Sequence, residues 1–326
     1  MKEITFLKEN NEKWKLFENM LNNKSMANPD QLADYFIQLT DDLSYARTHF
    51  SSSNTAKYLN QLAARAHQEI YKNKKESKHR IIYFWKYELP FLFKNSHKQL
   101  LFSFLISLVA FGIGWVSTIY DDSFVRVILG DSYVNMTLDN IDKGDPMAVY
   151  KKMSQADMFL GITVNNVFVS FQAFALGLIF SIGTVYVLFS NGVMLGAFLG
   201  FLYQQDVLTQ SSLAIWIHGT LEISAIIVAG CAGLTLGNSI LFPGTYSRGV
   251  SFLQGAKQSI KIIIGLVPVF IIAGFLESFV TRYTNMPLWL SLFIIGASLM
   301  FIIWYFIIYP IHLHKKTFYA THTAKN

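Results

Sequence analysis

Apolar residues recur at helical spacing between polar ones along the first hundred positions of the chain. Residues 2–21 follow a period near 3.6, which predicts an amphipathic helix. Residues 28–30 (Asn-Pro-Asp) have the side chains of a helix start, and the helix they begin is expected to end at the Ser-rich residues 51–54. A third helix is expected over 55–72. The pattern therefore predicts a helical region over residues 1–98 that lies outside the membrane.

Residues 80–95 interleave aromatic and basic side chains. This composition favours a helix lying at the membrane surface, with its aromatic rings toward the hydrocarbon and its lysines toward the phosphates. An amphipathic helix that packs against its protein neighbours has the same composition. Both interpretations are open from the sequence.

Long apolar runs dominate the rest of the chain. About 20 apolar residues suffice to cross the hydrocarbon core as a helix. We therefore predict an all-α, polytopic membrane helical bundle of about six transmembrane helices over 99–310, followed by a basic tail at 311–326. The third span is the shortest, and Asn191-Gly192 is expected to form the tight turn before it. The expected spans are 100–120, 158–190, 193–203 (extended to 208 if needed), 213–241, 260–280 and 288–309.

The composition agrees with a membrane protein. Hydrophobic residues make up 52% of the chain and charged residues 15%, and the mean hydropathy is +0.33. The first 21 residues alternate charged and apolar positions, which predicts no cleaved signal peptide. Cys231 is the single cysteine, so an intrachain disulfide is excluded and a cysteine-based metal or redox site is not expected.

The positive charges are unevenly distributed along the chain. Lys and Arg are dense in residues 1–98 and recur in 242–261 and in the tail, whereas 120–160 is rich in Asp. The positive-inside rule then predicts cytoplasmic termini and an extracytoplasmic loop near 120–160. Membrane lipid is an expected partner. No nucleic-acid-binding motif is present, so nucleic acid is not an expected partner.

Small residues recur every four positions in two of the expected spans. Stripes of this kind let two helices approach closely in lipid. We expect the third and fourth spans to pack tightly, with each other or with a partner, and a homodimer seam is the alternative to packing within the chain. The stripes are Gly192, Gly196 and Gly200 in the third span, and Ala225, Ala229, Gly233 and Gly237 in the fourth.

Polar side chains inside the apolar spans are the candidates for chemistry, because they are costly in hydrocarbon and need partners. His218 and Glu222 are four residues apart and therefore share one face of a helix. In the second span, Asn165 is expected at a similar depth with Asn166 next to it, and Gln172 is expected two turns further along the face of Asn165. We predict that these five residues form one polar pocket in the outer half of the membrane.

Several chemistries are open to such a pocket. It can be a hydrogen-bond network that fixes the helix packing, a proton relay or a site for lipid headgroups. A catalytic metal site requires three protein ligands and an open position, and the sequence shows no third ligand near His218 and Glu222. We therefore expect no metal, no cofactor and no catalytic residue. Glu277 and Arg282, which flank the outer end of the fifth span, are expected to form an exposed pair.

The order of these motifs resembles the stage II sporulation protein M family. The resemblance covers roughly residues 95–310 and implies a polytopic protein of the bacterial inner (cytoplasmic) membrane. In spore formers the family provides the membrane platform for peptidoglycan-degrading proteins during engulfment, and the long amino-terminal region here resembles the free-standing versions. The motifs are Asn165-Asn166, Asn191-Gly192, the box His218-Gly219-x-x-Glu222, and Ala229-Gly230-x-x-Gly233.

These observations lead to one functional expectation and two alternatives. We expect a non-enzymatic scaffold for an envelope-associated complex, with other envelope proteins as partners. The first alternative is a transporter or lipid-handling protein, which requires a cavity lined by Asn165, Gln172, His218 and Glu222. An intramembrane metalloenzyme is the second alternative.

Overall fold

The computed structural model describes residues 2–22, 29–72, 80–151, 154–283 and 286–315. The described residues form helices and contain no strand, which confirms the all-α prediction. The chain divides into two compact units, Met1–Arg80 and Ile81–Asn326. This division comes earlier than the boundary predicted at residue 98, because Leu89 and Phe93 are buried in the core of the second unit.

The first unit contains three helices, α1 (Glu3–Asn22), α2 (Pro29–His49) and α3 (Asn54–Lys72). One apolar face of each helix contributes to a shared core. Trp14 lies in this core, and its Nε1 donates a hydrogen bond to Asp42 Oδ2 at 2.8 Å. The observed helices agree with the sequence periods, and the predicted start residue Asn28 lies outside the described residues.

The second unit begins with a short segment of helix and continues into the bundle. Its described helices are α4 (Arg80–Tyr83), a π-helical turn (Phe84–Glu88), α5 (Leu89–Asn95), α6 (His97–Tyr120), α7 (Asp122–Leu129), α8 (Asp131–Asp142), a 3-10 turn (Ala148–Lys151), α9 (Gln155–Ala175), a 3-10 turn (Leu176–Leu178), α10 (Ile182–Gln204), α11 (Leu208–Leu241), α12 (Arg248–Phe275), a π-helical turn (Leu276–Val280), α13 (Leu288–Ile303) and a π-helical turn (Trp304–Ile308).

Six of the described helices are long and apolar enough to cross a membrane, which confirms the predicted number of spans. They are α6, α9 with its 3-10 turn, α10, α11, α12 with its π-helical turn, and α13 with the residues that follow it. Their apolar length is what the hydrocarbon core requires of a helix. The second unit is therefore a multi-pass membrane bundle.

The segment α4–α5 combines a buried face with an exposed first turn. Leu89 and Phe93 are fully buried in the bundle core, and Glu88 forms an ion pair with Lys261 of α12. Ile81 and Ile82 are exposed. One face of the segment therefore packs on the bundle, its first turn leaves apolar side chains uncovered, and the predicted position at the membrane surface stays a prediction.

Asn191 and Gly192 do not form the predicted turn. Both lie within α10, and the second span ends at Leu178 instead. The turn falls at Phe180 and Ser181, which have φ angles of 48° and 67°. Asn191 Nδ2 donates to the carbonyl of Val187 at 2.8 Å, so the amide is satisfied inside the helix. The third span therefore has 23 residues and is long enough to cross.

The glycine stripe of α10 packs against α6 and not against α11. A Cβ at Gly196 would lie 2.1 Å from the carbonyl oxygen of Phe111, and one at Gly192 would lie 2.8 Å from that of Ser107. Gly200 faces Trp115, which also lies on α6, and a Cβ at Gly200 would have more space there. The two backbones touch along this stripe, which requires residues without side chains.

The second stripe, on α11, faces the turn between α9 and α10. A Cβ at Gly233 would lie 2.3 Å from the carbonyl oxygen of Ala173, and one at Gly237 would lie 2.0 Å from Ser181 Oγ. Ala229 is fully buried. Both stripes are covered by helices of the same chain, so neither forms an exposed seam for a second copy.

Residues 121–151 form an ordered cap on one end of the bundle. Val125 of α7 and Val134 of α8 pack against Phe201 near the end of α10. Met147 and Tyr150 pack in a cluster with residues of α10 and α11. The segment that joins the first two spans is therefore folded protein rather than an extended connection.

Candidate functional site

The structure brings His218, Glu222 and Glu277 together. His218 and Glu222 lie one turn apart on α11, and Glu277 lies in the π-helical turn after α12. The nitrogen or oxygen atoms that the three side chains offer all lie within 4.8 Å of one another. His218 Nε2 and Glu277 Oε1 are 3.9 Å apart, and these two side chains are 6% and 13% exposed. Ionisable groups from two spans thus meet in a largely buried place.

The prediction that Glu277 and Arg282 form an exposed pair is wrong. Glu277 turns inward to His218, and Arg282 Nη2 donates to the carbonyl of Lys151 at 3.1 Å. The π-helical turn explains the direction, because its wider winding rotates the side chains relative to a continued α-helix. A carboxylate within an apolar span was itself a sign of a buried role. Applied to Glu277, this rule would have identified it from the sequence.

Hydrogen bonds around His218 assign its tautomer. His218 Nδ1 lies 3.1 Å from Thr281 Oγ1, and Thr281 Oγ1 donates to the carbonyl of Leu276 at 3.2 Å. When the Thr281 hydroxyl donates its one proton to Leu276, it can only accept from His218, and this network assigns the ring proton to Nδ1. The lone pair of Nε2 then faces the carboxylate of Glu277.

Asn166 of α9 completes the inner side of the site. Its side chain is 4% exposed and lies beside the Glu222 carboxyl. The Nδ2 atom is buried and makes no hydrogen bond of normal geometry with the described residues. A buried amide without a partner is costly, so this group is available to a ligand or to a reoriented carboxylate.

Asn165 and Gln172 do not belong to the site. Both side chains are exposed on the surface of the bundle, whereas Asn166, Ser170 and Ala173 are buried. Each residue of an α-helix is rotated by about 100° from the one before, so residues seven apart share a face. The pocket predicted from five residues is therefore wrong for these two, which lie on the outward face.

Two tyrosines of the cap lie close to the site. Burial, and then the negative charge of Glu277, raise the pKa of Tyr150 well above its usual range. The same two causes raise the pKa of Tyr133. The Tyr150 ring meets the His218 ring edge-on, with centroids 5.6 Å apart. Both phenols therefore stay neutral at physiological pH, and the cap covers the site with uncharged groups.

The neighbouring asparagines of α9 permit a matched test of this arrangement. Asn166→Leu is expected to lower the free energy of unfolding by about 1–3 kcal/mol, because the buried Glu222 carboxyl loses the amide beside it and is left less well paired. Asn165→Leu is expected to change it by less than about 0.5 kcal/mol, because that side chain is on the surface. Denaturant unfolding of the detergent-purified protein measures both. Equal effects of the two substitutions would contradict the assignment of faces.

Two family models match parts of the chain. One, described as Stage II sporulation protein M (SpoIIM), matches residues 103–282. The chain belongs to this family. A model described as Domain of unknown function (DUF8413) matches residues 4–72. No curated protein and no solved structure matches the chain. The SpoIIM match contains Asn166, His218, Glu222 and Glu277, so the site lies within the family region.

The SpoIIM site can hold a proton or a cation, since imidazole and carboxylate are both acid–base groups and metal ligands. Cys231 takes no part, because it is fully buried and its Sγ donates to the carbonyl of Ser96. A cavity of about 410 Å³ lies elsewhere, between α7, α8 and the end of α10. Its lining includes Arg126 and Gln204 and none of the predicted pocket residues.

Proposed function

We propose that this SpoIIM-family protein is a membrane scaffold for an envelope-associated complex, with peptidoglycan-remodelling proteins as its class of partner. The observation that carries the proposal is the folded cap, residues 121–151, which packs on the bundle through Val125, Val134 and Met147. A scaffold needs a defined surface outside the membrane. An unstructured connection between two spans would not supply one.

The distribution of charge supports an orientation for this scaffold. Lys and Arg are dense before the first span, and Asp is dense in residues 120–160. By the positive-inside rule, both termini and the three-helix unit are cytoplasmic, and the cap is extracytoplasmic. Membership of the SpoIIM family implies that this membrane is the bacterial inner membrane. The protein would thus offer one folded surface on each side of it.

The exposed face of α7 offers a direct test of scaffolding. Val127 is 79% exposed, so Val127→Glu changes the surface of the cap without disturbing its core. We expect this variant to lose co-purifying extracytoplasmic envelope proteins by more than about tenfold, as for a contact worth at least 1.4 kcal/mol. The measurement is quantitative recovery from crosslinked native membranes.

The matched control is Ile4→Glu, which introduces the same charge at a residue that is 70% exposed in the three-helix unit. This control should retain the partners of the cap. If Val127→Glu recovers the same proteins in the same amounts as wild type, the cap is not the docking surface and the scaffold proposal loses its support.

The structure of the site argues against the first alternative and adds a ligand to the second. The transporter or lipid-handling alternative required Asn165 and Gln172 to line a cavity with the ionisable pair, and both are exposed on the outer face of α9. The metalloenzyme alternative gains Glu277 as a third ligand beside His218 and Glu222. It is the second candidate function, since three protein ligands are what a catalytic metal site requires.

A further inference from the structure

We propose that His218, Glu222 and Glu277 bind a divalent transition-metal ion of the zinc type. The three side chains supply one imidazole nitrogen and two carboxylates, from α11 and from the π-helical turn after α12. This site is independent of the scaffold proposal, because it concerns the interior of the bundle and not the surface of the cap.

Two hydrogen-bond acceptors face each other in this site. Thr281 fixes the ring proton of His218 on Nδ1, so Nε2 presents its lone pair to Glu277. A lone pair facing a carboxylate is repulsive unless a cation lies between them. That cation is either a proton or a metal ion.

The distance between the two atoms favours a metal ion. His218 Nε2 and Glu277 Oε1 are 3.9 Å apart. A shared proton requires a separation of about 2.7–3.2 Å. Ligand atoms at about 2.1 Å from a tetrahedral zinc ion are about 3.4 Å from one another. The observed spacing is too long for the first value and about 0.5 Å longer than the second, and the three ligand atoms lie within 4.8 Å of one another, so the side chains need to move inward by only a small distance to bind the ion.

The charges in the site also call for a divalent cation. Glu222 and Glu277 are two carboxyl groups in a buried place, where two negative charges repel strongly, so they take up a proton unless another cation is bound between them. Among the described residues, no Lys or Arg forms an ion pair with either of them. A divalent ion with a neutral histidine and two carboxylates gives a site with no net charge.

The groups around the three ligands suit a metal site. Metal-bound histidines usually donate their second N–H to an oxygen, as His218 does to Thr281. Ligating carboxylates are usually hydrogen-bonded as well, and the unpartnered Nδ2 of Asn166 lies beside Glu222 for that purpose. Imidazole with carboxylates suits zinc, iron or manganese better than calcium or magnesium. A fourth coordination position remains for water.

Metal binding can be measured on the full-length protein in detergent. The protein is stripped with a chelator, incubated with zinc, desalted and analysed for metal by mass spectrometry. We expect about one zinc ion per chain and a higher unfolding temperature with zinc. When Co²⁺ is bound first as a probe, zinc should displace it and the visible absorption bands of the cobalt site should disappear. His218→Ala and Glu277→Gln should each weaken zinc binding by more than about tenfold.

Matched controls are Glu88→Gln and His97→Ala, which remove the same chemical groups elsewhere in the second unit and should bind zinc as wild type does. Glu277→Asp keeps the ligand type and should bind weakly, which covers the case in which Glu277→Gln does not fold. The proposal is overturned if the stripped wild-type protein takes up no stoichiometric zinc or cobalt. It is equally overturned if the folded site variants bind as tightly as the controls.

Discussion

Gly114→Ala is expected to drive α6 away from α10, whereas Gly112→Ala on the same helix is expected to be tolerated. A Cβ at Gly114 would lie 2.2 Å from the carbonyl oxygen of Val193 and 2.9 Å from its Cα. These are backbone atoms, so no side-chain rotation relieves the clash and a helix must move. Apart from the nearby backbone of α6 itself, no heavy atom of the described residues would lie within 4 Å of a Cβ at Gly112.

The expected loss of stability in Gly114→Ala follows from how densely α6 and α10 pack. Overpacking a well-packed core costs about 1–3 kcal/mol and sometimes more. The upper end is expected for Gly114→Ala, because moving α6 also opens the contact of Gly196 with Phe111. Gly112→Ala should gain up to about 1 kcal/mol from helix propensity. Denaturant unfolding in detergent measures both, and a similar stability of the two variants would show that α6 and α10 do not touch at Gly114.

The sequence predicted the elements of this fold well, because the length and period of an apolar run are local properties. The six spans and the three helices of the first unit follow from such runs. The turn before the third span was misplaced because Asn191-Gly192 carries a strong turn signal. The real turn uses Phe180 and Ser181 at positive φ. Phe180 gives no turn signal and a single Ser gives only a weak one, so the Asn-Gly pair carried the stronger signal at the wrong place.

The site was predicted in part, for a reason specific to membranes. His218 and Glu222 were paired correctly because their spacing on one helix is visible in the sequence. The sequence does not show which of Asn165 and Asn166 faces the site. Both faces of a membrane helix are apolar, so no polar face indicates the outside. Glu277 comes from another span, and only the packing of α11 and α12 brings it to His218.

A second large effect is expected in the first unit, where Trp14→Ala should unfold the three-helix structure while the bundle stays folded. Trp14 is 1% exposed and contacts the rings of Phe6 and Tyr58. Removing a buried Trp side chain costs about 3–5 kcal/mol. A domain of about 80 residues has only about 4–12 kcal/mol of stability in total. The substitution therefore removes much or all of the stability of this unit, and the bundle is spared because it has a core of its own.

Limited proteolysis of the membrane-inserted protein distinguishes the two units, because unfolded helices are cleaved and the membrane-embedded bundle is protected. The matched control is Leu16→Ala, since Leu16 lies on α1 and is 47% exposed. It should change stability by less than about 0.5 kcal/mol and leave the cleavage pattern as in wild type. An unchanged pattern for Trp14→Ala would mean that the core around Trp14 does not hold the unit together. With the bundle intact, the same variant separates partners held by the three-helix unit from those held by the cap, because only the former should be lost.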